Sequence, residues 1–264
     1  MTGNDTDRGD ADGSLRVDFA SQLAVLAGSV DRLATLVKEL TPEQLRQQAY
    51  PSEWTVADVL SHLGSGATIT RERLDAEADP EVQAIWDAWN AKDPDEKAAD
   101  ALEADSALMA QLASLTPDER DRLRFAVGPM DLDLSTFVGL RINEHALHTW
   151  DVAVTFDDSA TLPSDAVGLV LDSLAMMAPF MGKPTGADRI FTVHTVDPSR
   201  DFEITLRPDG VAVAPGDAVA EPDLELTADA LVRLVYGRLD PGHTPAVRAG
   251  AADLDELRRA FPGF

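Results

Sequence analysis

The spacing of apolar residues changes once along this chain, and that change limits what it can fold into. Up to about residue 157 they recur every three or four positions. Leu23, Leu26, Val30, Leu33 and Val37 form one such stripe, and Val56, Val59, Leu60 and Leu63 another. From about residue 189 they alternate instead, in RIFTVHTV (189–196), DFEITLRPDGVAVAP (201–215) and DLELT (223–227). The expected fold class is α + α/β in two domains: a helical bundle over 15–157, then a small α+β domain over 163–264. DDSATLPSD joins them, and the polar residues 1–14 are expected to be a disordered tail.

Local signals place the elements. The first helix is expected over about 15–40, and Thr41 and Pro42 start a short turn. Thr55 and Asp58 read as a capping box opening a helix over about 55–77, in which Gly64 and Gly66 either weaken the middle or permit close packing. An acidic segment at 80–97 carries Trp86 and Trp89. Further helices are expected at 97–114 and, capped by Ser135, at 135–156. Four principal helices with moderate connections suggest an antiparallel bundle, and bundles build metal sites between facing helices. After the linker come a helix at 164–181, the alternating strands with a turn at Pro208–Gly210, a helix at 228–239 capped by Thr227, a strand at 245–249 and a helix at 252–260.

Composition narrows the function. Of 264 residues, 22 are basic and 47 acidic, for a net charge of −25. Nucleic acid and anionic membranes need clustered Lys and Arg, so neither is an expected partner. The sequence has no run of 18 apolar residues and no basic, apolar leader, so the expectation is a cytosolic protein without a membrane span. There are no cysteines, which excludes a thiolate metal site and a cysteine nucleophile. Any thiol chemistry needs a thiol from outside.

Three residues carry chemistry. Glu144 and His148, in RINEHALHTWD (141–151), are four apart and project about 40° from one another on a helix. His145 points about 100° from Glu144 and converges poorly. His62, on another helix, can complete a set of two histidines and one carboxylate with an open position. Catalytic zinc uses such a set, and iron, nickel or manganese accept it too. By spacing alone, Glu144 and His148 also fit a solvated ion pair, and His62 a core histidine. Asp58 can orient His62 or simply cap its helix. Asp151 can bond near the site or pair with Arg141. Trp54, Trp150, His194 and His243 read as structural.

WTVADVLSHL (54–63) and NEHALHTWDVAV (143–154) resemble the W-[ST]-V-x-D-V-x-x-H-L and E-x-x-x-H-x-W-D-x-A stretches of the mycothiol-dependent maleylpyruvate isomerase family. That family is itself one of the DinB-like metal-binding four-helix bundles. The resemblance runs over nearly the whole chain and implies a sterol-carrier-like C-terminal domain. It implies that His62, Glu144 and His148 bind a divalent metal, usually zinc, and that mycothiol is the cosubstrate. VRLVYGRL (232–239) resembles the region of the family's anion-binding arginine, which makes Arg238 the candidate catalytic residue and Arg233 the reserve. The implied partners are a small thiol and a small electrophilic or carboxylate substrate. Thiol addition to an activated double bond, rotation and loss of the thiol give isomerisation; retention of the thiol gives S-transfer. Two other readings remain open: a hydrolase working through metal-activated water, and a non-catalytic ligand-binding protein with a metal-stabilised bundle. The acidic 80–97 segment departs from the family and leaves the substrate open.

Overall fold

The computed structural model describes residues 18–75 and 80–263. The expected tail at 1–14 and the ends of the first two long helices, at 15–17 and 76–77, lie outside them.

The helical part opens with α1 (Phe19–Lys38), capped by Asp18, and the short α2 (Pro42–Leu45), capped by Thr41. The second long helix, α3 (Val56–Asp75), starts from the Thr55–Asp58 box. The Asp58 N–H donates to Thr55 Oγ1 at 3.2 Å, and the Thr55 N–H donates to Asp58 Oδ2 at 3.0 Å. Val56, Val59, Leu60 and Leu63 are fully buried, as their spacing predicts. The acidic segment forms α4 (Val82–Asn90), which buries Trp89 against α3 and leaves Trp86 exposed. Then come α5 (Pro94–Ser114) and α6 (Pro117–Arg122).

The sequence reading did not anticipate the next feature, a hairpin of β1 (Arg124–Val127) and β2 (Met130–Asp133). It delivers the chain to α7 (Leu134–Val154). The cap of α7 is Asp133, which accepts the Thr136 N–H at 2.8 Å, and not Ser135. Ser135 lies inside the helix, and its hydroxyl donates to Gln22 on α1. The four long helices pack as a ring, with α3 and α1 each touching both α5 and α7.

Beyond Val154, α8 (Ser164–Met181) spans the residues expected of it. It is long and apolar enough to cross a membrane by length and composition. It nevertheless buries a stripe of Ala166, Val170, Leu174 and Ala178 at helical spacing, and packs against α1 and α7 on one side and the sheet part on the other. The strands are β3 (Arg189–Val196), β4 (Arg200–Arg207), β5 (Gly210–Pro215), β6 (Leu224–Thr227) and β7 (Arg248–Ala249). Their order is β5-β4-β3-β6-β7, with only the β3–β6 pair parallel. Arg207 pairs with Gly210, so Pro208 and Asp209 make the expected turn.

Two expectations are corrected here. The helix after β6, α9 (Ala228–Val235), is capped by Thr227 but stops short of 239. Gly237, at φ +70°, turns the chain there. The strand expected at 245–249 shrinks to its last two residues, because a 3₁₀ turn at Pro241–His243 and Pro245 precede it. The closing helix, α10 (Leu254–Ala260), is present.

Candidate metal centre

Helix periodicity on α3 and α7 brings the three expected ligands together. One ligand atom from each of His62, Glu144 and His148 lies within 4.8 Å of the others. His62 Nε2 is 2.7 Å from Glu144 Oε2, and His148 Nε2 is 3.5 Å from the same oxygen. The His62 and Glu144 side chains are 38% and 41% exposed, so the site is open to small molecules. A cavity of about 900 Å³, lined by Thr136, Ser173, Arg200 and Phe202 among others, contains none of the three residues. The converging donor groups mark the candidate site, and cavity size does not.

The groups behind the triad were only partly foreseen. His148 Nδ1 donates to Asp151 Oδ2 at 2.8 Å, which leaves Nε2 as the outward-facing ring atom. Asp151 is completely buried and does not pair with Arg141. Its partner is Arg238, which donates through Nε to Oδ1 at 2.8 Å and through Nη2 to Oδ2 at 2.7 Å. Arg238 also donates through Nη1 to the Tyr236 carbonyl. Of its five N–H groups, two make no hydrogen bond among the described residues. The reserve, Arg233, is spent on Asp229 and on the His243 carbonyl.

Charges in this cluster perturb each other. Partial burial pushes the Glu144 carboxyl up, but hydrogen bonds from His148 and His62 outweigh it and hold Glu144 well below the usual carboxylate range. Burial pushes His148 down, while Asp151 and Glu144 together raise it above an ordinary imidazole. Burial opposes ionisation of Asp151, but the Arg238 guanidinium and His148 keep it ionised below its ordinary value.

Other candidates fall elsewhere. Asp58 does not orient His62: it caps α3 and receives Lys97 Nζ at 2.8 Å. His194 pairs across the strands with Asp201, and His243 with Asp240. His145 is buried away from the triad, 3.1 Å from Asp105. Trp150 is a core residue, its indole N–H donating to Ala160 O. Trp54 packs against the edge of the core, as a structural residue would, but it also borders the site. It is half-buried, with its ring 5.2 Å from that of His62 and 5.9 Å from that of His148. Tyr236 was also missed; its hydroxyl accepts from Asn143, the residue before Glu144, and burial pushes its pKa far up. A buried aspartate needs a cation, so Asp151 signalled a missing partner, but nothing in the sequence said which arginine.

Residues 26–153 match the family described as the mycothiol maleylpyruvate isomerase N-terminal domain. This segment, just under half of the chain, is what the chain shares with that family. Among solved structures it is similar to the mycothiol-dependent maleylpyruvate isomerase, with a TM-score of 0.62 at 12% identity over 84% of this chain and 90% of that one. A histidine-to-alanine mutant of that enzyme matches at TM-score 0.61 and 11% identity, over the same shares of the two chains. At such identities the likeness is one of fold, extending beyond the isomerase-family segment into the sheet part. A comparison with curated proteins finds no match.

Proposed function

We propose that this chain is a cytosolic metal-dependent enzyme of the maleylpyruvate isomerase type, with mycothiol as cosubstrate in isomerase or S-transferase chemistry. The observation that carries the reading is the convergence of His62, Glu144 and His148, with Asp151 fixing the tautomer of His148 from behind. Two imidazoles and one carboxylate fit a divalent cation, zinc above all, and leave room for an outside ligand. When bound, such a cation lowers the pKa of a coordinated thiol.

The chain's own residues supply the rest. Asp151 holds His148 in place and is itself held by Arg238. The two remaining N–H groups of Arg238 can receive a substrate carboxylate. Trp54 walls one side of the two imidazoles. The absence of cysteine in the chain agrees with a thiol that comes from outside.

The test is calorimetry of mycothiol binding to zinc-loaded protein. Wild type should bind about one zinc and the thiol, and a folded His148→Ala variant should lose both. Zinc-loaded wild type without thiol affinity would end the thiol reading and favour hydrolysis. Triad variants that lower the melting temperature yet keep ligand binding would favour a scaffold role.

A further inference from the structure

The triad is one layer of the contact between α3 and α7; the next layer is polar as well. One turn beyond His62 on α3 stands Gly66, and one turn before Glu144 on α7 stands Arg141. A Cβ added at Gly66 would lie 2.5 Å from Arg141 Nη1, so the guanidinium occupies space that only a missing side chain leaves open. Arg141 Nη2 donates to the carbonyl of Leu63, the residue after His62, at 3.4 Å. The same nitrogen is 3.9 Å from Asp105 Oδ1 on α5, which also lies 3.1 Å from His145 Nε2.

Arg141, Asp105 and His145 are all at least nine-tenths buried. Asp105 Oδ2, His145 Nδ1 and Arg141 Nε make no hydrogen bond among the described residues. Apolar side chains of similar volume would stabilise the bundle as well or better, so stability alone is a poor account of this cluster. What it supplies is position. An apolar filler can repack, whereas a planar cation bonded to a carbonyl on α3 and facing a carboxylate on α5 fixes where α7 sits. Metal ligands tolerate errors of only about 0.5 Å, and His62 reaches the other two across this gap.

We infer that Arg141, admitted by Gly66 and faced by Asp105, is a positioning residue that sets the α3–α7 gap and with it the affinity and geometry of the cation site. The inference rests on the metal reading above. The probe is cobalt(II), titrated against a competing chelator and followed by its visible absorption, in wild type, Gly66→Ala and Arg141→Lys. Gly66→Ala pushes the Arg141 guanidinium out of its place, and Arg141→Lys keeps the charge but removes the fork. Both folded variants should bind about tenfold more weakly, the cost expected of a lost supporting contact, with an altered spectrum. A residue that only stabilises the fold would lower the melting temperature and leave both readouts unchanged. Should Gly66→Ala not fold, Arg141→Lys decides alone. Wild-type affinity and spectrum in the folded variants would overturn the inference. If wild type takes up no cobalt, the metal reading fails instead. The gap is then tested in cation-free protein by the proton–proton contact between the His62 and His148 rings, whose centroids are 4.7 Å apart. Weakening of that contact in the variants supports the spacing role, and its persistence overturns it.

Discussion

At the scale of single residues, two aspartates show how similar sequence settings diverge. Asp151 and Asp58 each lie within four residues of a candidate ligand, and each could have been its support. Asp151 takes that role because it is buried beside His148, while Asp58 is drawn to its own helix terminus and to Lys97. Asp151→Asn should therefore weaken zinc binding by about 10–100-fold in chelator competition. An affinity within about threefold of wild type would remove Asp151 from the site. Asp58→Asn should leave zinc affinity unchanged and cost about 1 kcal/mol at pH 7 as a weakened cap. Burial raises the Asp58 pKa, but Lys97 and Thr55 outweigh it and bring it below its ordinary 3.8. A lowered folded-state pKa gives stability that is present above the unfolded value and lost as pH falls through the folded one. The gap in stability between wild type and Asp58→Asn should thus hold above about pH 4 and close below it, in urea melts across pH 2.5–7. A gap that widens with acid would contradict this assignment. Glu144 and His148 were legible as a pair because helix periodicity puts them on one face, whereas His62 was joined to them by the family resemblance of its flanking residues. Trp54 and Arg238 were harder, because their surroundings are set by packing between distant segments.

At the scale of elements, α8 and β3 match their expected spans residue for residue. The miss at β1–β2 has a physical cause. Strands of four residues carry too little alternation to be seen, although Gly128–Pro129 marked a turn. The hairpin also explains the misassigned cap, since it ends on Asp133 and so places that carboxylate at the start of α7. Asp133→Ala should cost about 1 kcal/mol in denaturant unfolding, and Ser135→Ala clearly less. The reverse order would mean that the helix starts where the sequence first suggested. Because α7 carries two of the three ligands, its start also fixes the direction in which Glu144 and His148 face.

At the scale of the whole molecule, the helical and sheet parts meet through α8, through hydrogen bonds such as Asn143 to Tyr236 and Tyr50 to Asp240, and through the buried ion pair of Asp151 on α7 with Arg238 after α9. Removing one partner strands a buried charge, so Arg238→Ala should cost about 3–5 kcal/mol. Replacing both by leucine should cost less than the sum of the single changes. Urea unfolding followed by circular dichroism and by limited proteolysis should give coincident midpoints in wild type. Separate transitions for the two parts would show that the pair does not couple them.

The distances along the chain at this centre have a thermodynamic consequence. His62 and Glu144 are 82 residues apart, and Asp151 and Arg238 are 87 apart. An unfolded chain holds no preassembled version of such a site, so a cation that binds there favours the native state by mass action. At a free concentration one hundred times its dissociation constant, the stabilisation is about 2.7 kcal/mol. The unfolding midpoint should then climb with the logarithm of added zinc and return to its starting value on chelation, so that a melting curve doubles as a binding isotherm.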